Sequence, residues 1–275
     1  MKSRLLVAVI GVPVLLWAVL WAPPLAMMAA LMLLAGVGAL ELQQCVSGEK
    51  RSELNGIAAV TAVFTVDWYF ERPDHVALLF VLYALLTFGY AVCKGGEVRF
   101  DRLMAALFGS ISIAWSFSSF LRMEAAGVPR PLLLLPFVFS FSCDTCAYFA
   151  GRAFGRHKLA PKVSPNKTVE GAVGGLLGSV LGGVLFAWAL GRWSGAAAFG
   201  CGFMLLLALF CGAVAQLGDL SFSLIKREFG VKDYGRVFLA HGGVLDRFDS
   251  VLFVAPVVEL TLKFLALQNL YCVYP

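Results

Sequence analysis

About nine apolar runs, each close to the length of a membrane-crossing helix, dominate this sequence. An α-helix needs about 20 mainly apolar residues to cross the hydrocarbon core of a bilayer. Breaks that carry proline, glycine or charged residues separate the runs. The runs cover approximately residues 5–21, 24–40, 55–70, 75–93, 103–121, 131–150, 169–190, 195–217 and 251–270.

The composition agrees with a membrane protein. Of the 275 residues, 60% are apolar and only 14% are charged, whereas about a quarter of the residues in a soluble domain are charged. We therefore predict an all-α, polytopic integral membrane protein with about nine transmembrane helices. We expect one membrane domain, residues 1–275, with the N-terminal spans in 1–130 and, in 131–275, the C-terminal spans and the cytoplasmic loops that carry the candidate sites discussed below.

The distribution of positive charge predicts the orientation. If the N-terminus is cytoplasmic and the spans alternate, most of the 22 Lys and Arg residues fall in segments on the cytoplasmic side. These segments include the two longest polar loops, residues 151–167 and 220–250. Because cytoplasmic loops carry an excess of Lys and Arg, we predict a cytoplasmic N-terminus and place any site built by these loops in the cytoplasm.

The run at residues 171–183 is rich in glycine, with the sequence GAVGGLLGSVLGG. Small residues at such spacings allow helices to approach closely, and the sequence has no phosphate-loop motif. We therefore interpret the run as a tightly packed helix face. The same feature is compatible with a homodimer or with close packing inside one chain.

Two features inside apolar runs involve ionisable side chains. Asp144, the first candidate site, lies within the run 131–150, and an ionisable residue in such a run usually faces a cavity or a partner. A buried pair or a protonated acid is the alternative. Glu259 and Lys263 are four residues apart in the last run, and we predict that they form an ion pair on one helix face.

The polar segment 151–171 is the second candidate site. Ser164, Asn166 and Thr168 are hydrogen-bond donors around Lys167, and Thr168 is placed to cap the following helix. Backbone N–H groups at a helix start, with a lysine beside them, attract phosphate. The alternative is a basic loop that contacts anionic lipid headgroups.

The third candidate site is the segment 219–249, where charged residues are unusually dense for so apolar a chain. Converging carboxylates suit Mg²⁺, which often shares its oxygen ligands with substrate phosphates. Arginine and lysine side chains there would neutralise phosphate, and a Gly-Gly pair allows backbone near a ligand; an interfacial amphipathic helix is the alternative. The residues are Asp219, Lys226, Arg227, Lys232, Asp233, His241, Asp246, Arg247 and Asp249.

Four motifs, in this order along the chain, resemble those of the phosphatidate cytidylyltransferase (CDP-diacylglycerol synthase) family. One departure is that Leu239-Ala240 stand where the family commonly has Pro-Gly. The motifs are Asp144-Thr145-x-Ala147-Tyr148-Phe149, Ser164-Pro165-Asn166-Lys167-Thr168-x-Glu170-Gly171, Gln216-x-Gly218-Asp219-Leu220 and Ser223-x-Ile225-Lys226-Arg227, the last continuing to His241-Gly242-Gly243-x-x-Asp246-Arg247-x-Asp249.

The resemblance implies an enzyme that transfers CMP from CTP to phosphatidate. It implies Mg²⁺ as cofactor and leaves open a monovalent cation such as K⁺. The expected metal ligands are Asp144, Asp219, Asp246 and Asp249. The expected substrate-binding residues are Ser164, Asn166, Lys167, Thr168 and Glu170, and the expected catalytic residues are Lys226, Arg227, Lys232, Asp233, His241 and Arg247.

The expected partners are CTP, phosphatidate and membrane lipids, without nucleic acid, and the expected location is a bacterial inner membrane. Three other functions remain as alternatives. A CTP-dependent kinase of a polyprenol-type lipid would use similar parts. A transporter or channel would spread charged residues along its spans, whereas here they gather at one surface. An inactive relative acting as a scaffold is the third.

Overall fold

The structure is a computed structural model that describes residues 11, 13–48, 56–194, 201–235, 237 and 242–267. It is almost entirely helical, which confirms the predicted all-α class. We number the helices from the one that begins at Pro24. They are α1 (Pro24–Ser47), α2 (Ile57–Tyr69), α3 (Pro73–Cys93), α4 (Phe100–Ala125), α5 (Leu135–Phe154), α6 (Val169–Ser194), α7 (Cys201–Glu228) and α8 (Leu245–Leu267).

Within the described residues, six helical segments are long and apolar enough to cross a membrane, so the chain is an integral membrane protein. They are Pro24–Ser47, Pro73–Cys93, Phe100–Ala125, Arg130–Phe154, Val169–Arg192 and Gly202–Glu228. The predicted count of nine is not confirmed. The run 55–70 forms only the 13-residue α2, and the run 5–21 begins outside the described residues. Helix α2 ends early because Glu71 turns the chain with a φ of 49°, and Pro73 then begins α3.

The chain divides into two compact units, which we describe separately. The first contains the described residues up to Ala125 together with Lys226–Phe248. Its core forms where α1, α2 and α4 pack together, and it includes the buried Phe64 and Leu107. Tyr83 of α3 donates a hydrogen bond to the Ala106 carbonyl at 2.9 Å, inside a π-helical turn, Ala105–Gly109, of α4.

The second unit runs from Ala126 to Ile225 and continues from Asp249. Its main feature is the close packing of α5 against α6, which confirms the interpretation of the glycine-rich run. A Cβ atom on Gly174 would overlap the Ala150 side chain, and one on Gly178 would overlap Cys146. The glycines therefore allow two helices to approach more closely than larger residues would permit.

A short β-hairpin connects α5 to α6, where the sequence analysis predicted only a loop. Strand β1 (Lys158–Ala160) pairs antiparallel with β2 (Ser164–Thr168). Two helices extend further than predicted, since α5 continues to Phe154 and α7 to Glu228. The predicted Glu259–Lys263 ion pair is confirmed, with 3.3 Å between Nζ and Oε1.

Candidate active site

A cavity of about 420 Å³ in the second unit contains residues from three of the four sequence motifs. Helices α5, α6 and α7 and strand β2 contribute to its walls. Side chains of both charges face it, together with backbone from the glycine-rich helix contact. The lining residues are Asp144, Ala147, Tyr148, Gly151, Arg152, Leu159, Asn166, Lys167, Thr168, Gly171, Ala172, Gln216 and Asp219.

Lys167 and Asp219 form an ion pair in this cavity. The Lys167 Nζ atom lies 2.5 Å from Asp219 Oδ2, and each side chain is 26% exposed. The other carboxylate oxygen of Asp219 accepts a hydrogen bond from Ser223 Oγ at 3.3 Å. The structure therefore brings together a predicted substrate-binding lysine and a predicted metal ligand, which the sequence analysis had assigned to separate segments.

Asp144 faces the same cavity, as the sequence analysis predicted for an ionisable residue inside an apolar run. Its Oδ2 atom lies 3.4 Å from Ser250 Oγ. The same hydroxyl lies 3.5 Å from Asp249 Oδ1, which also accepts the Ser250 backbone N–H at 2.8 Å. Ser250 thus links two carboxylates that the sequence analysis expected to share a metal.

Local contacts explain how this part of the chain holds its side chains in place. Thr168 caps α6, as predicted, because its Oγ1 accepts the Gly171 N–H at 3.1 Å. Gln216 of α7 donates to the Ala172 carbonyl of α6 at 2.8 Å. These contacts hold strand β2 and the start of α6 beside α7. Asn166 and Lys167, both in β2, therefore line the cavity.

Two predicted substrate-binding residues, Ser164 and Glu170, are not among the residues that line this cavity. Ser164 pairs with Ala160 in the hairpin. Glu170 accepts the backbone N–H groups of Arg156 and His157 at 3.0 and 3.2 Å, and the His157 ring at 2.6 Å. In this structure Glu170 therefore closes the turn after α5.

The residues of the cavity fit a magnesium ion. Mg²⁺ is commonly held by one or two carboxylates, with water and substrate phosphates completing its shell, and Asp144 and Asp219 supply two carboxylates in one cavity. Among the described residues, no three His, Cys, Asp or Glu side chains converge on one point. A two-carboxylate site of this kind therefore leaves positions for substrate oxygens.

Asp246 belongs to the first unit, where both of its oxygens are engaged. Its Oδ1 atom accepts the Lys226 ammonium at 2.8 Å, and the two side chains are only 5% and 11% exposed. Its Oδ2 atom accepts the backbone N–H groups of Tyr234 and Gly243 at 2.8 and 2.9 Å. Asp246 therefore holds Tyr234 and Gly243, which lie between α7 and α8, in place.

The other predicted catalytic residues lie at the end of α7, at the start of α8 or between the two helices in the sequence. Lys226 also lies over the Tyr234 ring, with 5.4 Å between Nζ and the ring centroid. Arg227, near the end of α7, lies 3.4 Å from the Val231 carbonyl oxygen. Lys232, Asp233 and Arg247 are exposed. His241 and the departure at Leu239-Ala240 lie outside the described residues.

The sequence analysis missed Glu41, whose buried carboxylate accepts the Val244 and Leu245 N–H groups. No role was predicted for Ser250, and Gln216 belongs to a motif without a predicted role of its own. Glu41 had a usable signal, because a lone acid beside the apolar run 24–40 is as unusual as Asp144. The predicted run stopped at residue 40, whereas α1 continues to Ser47. For Ser250 the sequence gave no signal.

Comparison with known proteins gives a family for this arrangement. Residues 2–265 match the family model described as "Cytidylyltransferase family". The phosphatidate cytidylyltransferase of Bacillus subtilis (strain 168) is 32% identical over 192 residues, 68% of this chain and 69% of that protein. Those of Staphylococcus saprophyticus and Staphylococcus haemolyticus are each 33% identical, covering 68% and 71% of this chain and 67% and 72% of theirs. The chain, whose motifs already resembled this group, therefore belongs to the cytidylyltransferase family.

Proposed function

We propose that this protein transfers CMP from CTP to phosphatidate, forming CDP-diacylglycerol and pyrophosphate. The observation that carries the proposal is the cavity in which Lys167 and the carboxylates of Asp144 and Asp219 face one space. All three residues come from motifs that resemble the phosphatidate cytidylyltransferases, and the relatives named above bear that name. A CTP-dependent lipid kinase is the less favoured alternative.

The reaction requires a phosphatidate oxygen to attack the α-phosphorus of CTP, so two anions must approach each other. The new P–O bond forms as the bond to the β-phosphate breaks, and the electron pair leaves with pyrophosphate. Cationic side chains placed where this charge develops lower the barrier. Lys167 is suited to this role because its ammonium lies in the cavity, where it pairs with the partly exposed carboxylate of Asp219.

A bound Mg²⁺ would screen the phosphates and stabilise the charge on the leaving pyrophosphate. Asp144 and Asp219 line the same cavity and would hold it; that Asp246 and Asp249 are further ligands, directly or through water, stays a prediction. A monovalent cation such as K⁺ is compatible with the same set of oxygens. No covalent enzyme intermediate is needed, because positioning and electrostatics suffice.

We assign phosphate binding also to Lys226, Arg227, Lys232 and Arg247. Asp233 and His241 are proposed to organise hydrogen bonds around the nucleotide, since phosphatidate is already ionised and needs no general base. Asn166 and Thr168 line the cavity and would orient one substrate's phosphate. For Ser164 and Glu170 we propose an indirect role, through the hairpin and the turn that they help to close.

We propose that the protein acts in the inner membrane of a bacterium, with its site facing the cytoplasm. The relatives are bacterial, and the positive-inside distribution of Lys and Arg supports that orientation. At this surface the site would meet CTP from water and phosphatidate from the leaflet. Homodimerisation stays a prediction, and the glycine face of α6 does not argue for it, because that face packs against α5 within the chain.

The test is an assay of purified protein in detergent micelles with phosphatidate, Mg²⁺ and CTP labelled in the cytosine ring. We expect label to enter the lipid phase, and EDTA to stop the transfer. Label that stays in water while CDP accumulates would identify a lipid kinase instead. No CTP turnover by folded protein would contradict both enzyme functions and favour the scaffold.

A further inference from the structure

Glu41 is a buried acid in α1 to which the reaction as described gives no role. Its side chain lies inside the first unit, with the residue only 4% exposed. Oε1 accepts the backbone N–H of Val244 at 3.0 Å, and Oε2 accepts that of Leu245 at 3.0 Å. The two carboxylate oxygens thus bind the N–H of the first residue of α8 and that of the residue before it, more than 200 residues away in the chain.

Two glycines leave room for this carboxylate. A Cβ atom on Gly243 would overlap both oxygens of Glu41, and one on Gly235 would overlap Oε1. The nearest atoms to these positions all belong to Glu41. The fit is therefore specific, because the carboxylate occupies the space that side chains at positions 235 and 243 would need.

Gly243 also links the Glu41 contact to Asp246. Gly243 lies beside the carboxylate of Glu41, and its own N–H donates to Asp246 Oδ2 at 2.9 Å. The neighbouring Val244 and Leu245 are held by Glu41, and Asp246 holds Lys226 at 2.8 Å. One chain of hydrogen bonds therefore connects α1 to a predicted catalytic lysine through a single turn of backbone.

We infer that Glu41 is a positioning residue for the reaction: it fixes the Gly243–Leu245 turn so that Asp246 and Lys226 keep their orientation. The inference rests on the proposed function. A carboxylate suits the task better than an amide, because two N–H donors converge on two acceptor oxygens and a glutamine offers only one. The negative charge also suits the N-terminal end of α8.

Glu41→Gln is the first test, because it keeps the side-chain shape and places an N–H₂ group against one backbone N–H. We expect kcat to fall about tenfold to a hundredfold with a smaller change in KM, because a displaced turn misaligns catalytic groups. The matched control is Glu259→Gln, another buried glutamate, 3% exposed and paired with Lys263. Its kcat is expected to stay within about twofold of wild type.

A double-mutant cycle tests the proposed contact itself. Gly243→Ala should impair the wild type strongly, because the new methyl group displaces the Glu41 carboxylate. In a Glu41→Ala background the space is vacant, so the same substitution should add less than about twofold. Independent, multiplicative effects of the two substitutions would overturn the inference.

Hydrogen exchange supplies a readout that does not need activity. In Glu41→Gln, peptides that contain residues 242–249 should exchange faster than in wild type, while peptides from α5 stay unchanged. Unchanged exchange would overturn the inference, and so would faster exchange with a wild-type kcat. Wild-type protein that makes no CDP-diacylglycerol, yet shows faster exchange on Glu41→Gln, would defeat the proposed function while supporting the positioning contact.

Discussion

The Lys167 ammonium lies 2.5 Å from Asp219 Oδ2, and both side chains keep about a quarter of their surface exposed. An ion pair this accessible contributes at most about 1 kcal/mol to stability, because water screens it. It can therefore open at low cost, which would leave Lys167 available to a phosphate and Asp219 available to a cation. A pair this accessible is therefore better suited to binding and releasing ligands than to stabilising the fold.

Replacing Lys167 by alanine should lower kcat/KM by about a hundredfold or more, because the ammonium would stabilise charge that develops in the transition state. The midpoint of thermal unfolding should change little, since the pair contributes little stability. Steady-state kinetics with CTP and phosphatidate in micelles, together with a melting curve of the same sample, measures both quantities.

The matched control is Lys162→Ala, which removes an exposed lysine from the turn between β1 and β2. Its kcat/KM should stay within about twofold of wild type. Equal losses in the two variants would mean that the hairpin contributes only general positive charge, for example to lipid headgroups, and would remove Lys167 from the site.

Asp144→Asn should raise the Mg²⁺ concentration needed for half-maximal activity and lower the activity at saturating Mg²⁺. An amide is a weaker ligand than a carboxylate for a hard cation, and Asp144 is one of the two acids that face the cavity. Asp219→Asn should show the same pattern. The measurement is a titration of activity with Mg²⁺ after removal of metal with EDTA.

The control for this titration is Asp101→Asn, which removes an acid from the partly exposed Arg99–Asp101 pair of the first unit. Its Mg²⁺ dependence should match that of wild type. If Asp144→Asn and Asp219→Asn also titrate like wild type, the assignment of the metal to this cavity is wrong.

The sequence predicted correctly those contacts that form between residues a few positions apart in the chain. Thr168 caps α6 and Glu259 pairs with Lys263, because each partner lies three or four residues away and the spacing alone brings them together. The membrane class followed from composition in the same way, and Asp144 faces a cavity as expected for its setting.

Contacts across long separations could not be predicted in the same way. The Lys167–Asp219 and Glu41–Val244 contacts depend on how segments far apart in the chain pack together, and the local sequence pattern does not determine that packing. The motif predicts that Glu170 binds substrate, and that role stays a prediction, but the motif does not predict the contacts of Glu170 with two backbone N–H groups in the turn after α5. A motif shows that a residue matters without showing which partner it has.

Gly174→Ala should destabilise the second unit. The added Cβ would overlap Ala150 across the α5–α6 contact, and overpacking a close contact typically costs about 1–3 kcal/mol. Gly89→Ala in α3 is the matched control, because no atom of the described residues outside its own stretch of helix lies within 4 Å of its Cβ position and alanine favours a helix. Thermal unfolding in detergent should show a lower midpoint for Gly174→Ala alone; equal midpoints would contradict the packing interpretation.

The Lys226–Asp246 pair should respond asymmetrically to removal of its two members. Asp246→Ala leaves a lysine that is only 11% exposed without its carboxylate and also frees the N–H groups of Tyr234 and Gly243. Removing one partner of a buried pair costs about 3–5 kcal/mol. Lys226→Met costs less, because the Asp246 carboxylate keeps two backbone donors and methionine fills the space of the lysine stem beside Tyr234. Both single variants should lose activity, and unfolding curves should rank Asp246→Ala as the less stable.

The double variant Lys226→Met with Asp246→Asn should recover part of that stability, because it removes the unpaired charge. It should not recover turnover, because the reaction still needs an ammonium near phosphate. Equal stabilities of the single variants would show that the pair is open to water and does not hold the turn before α8.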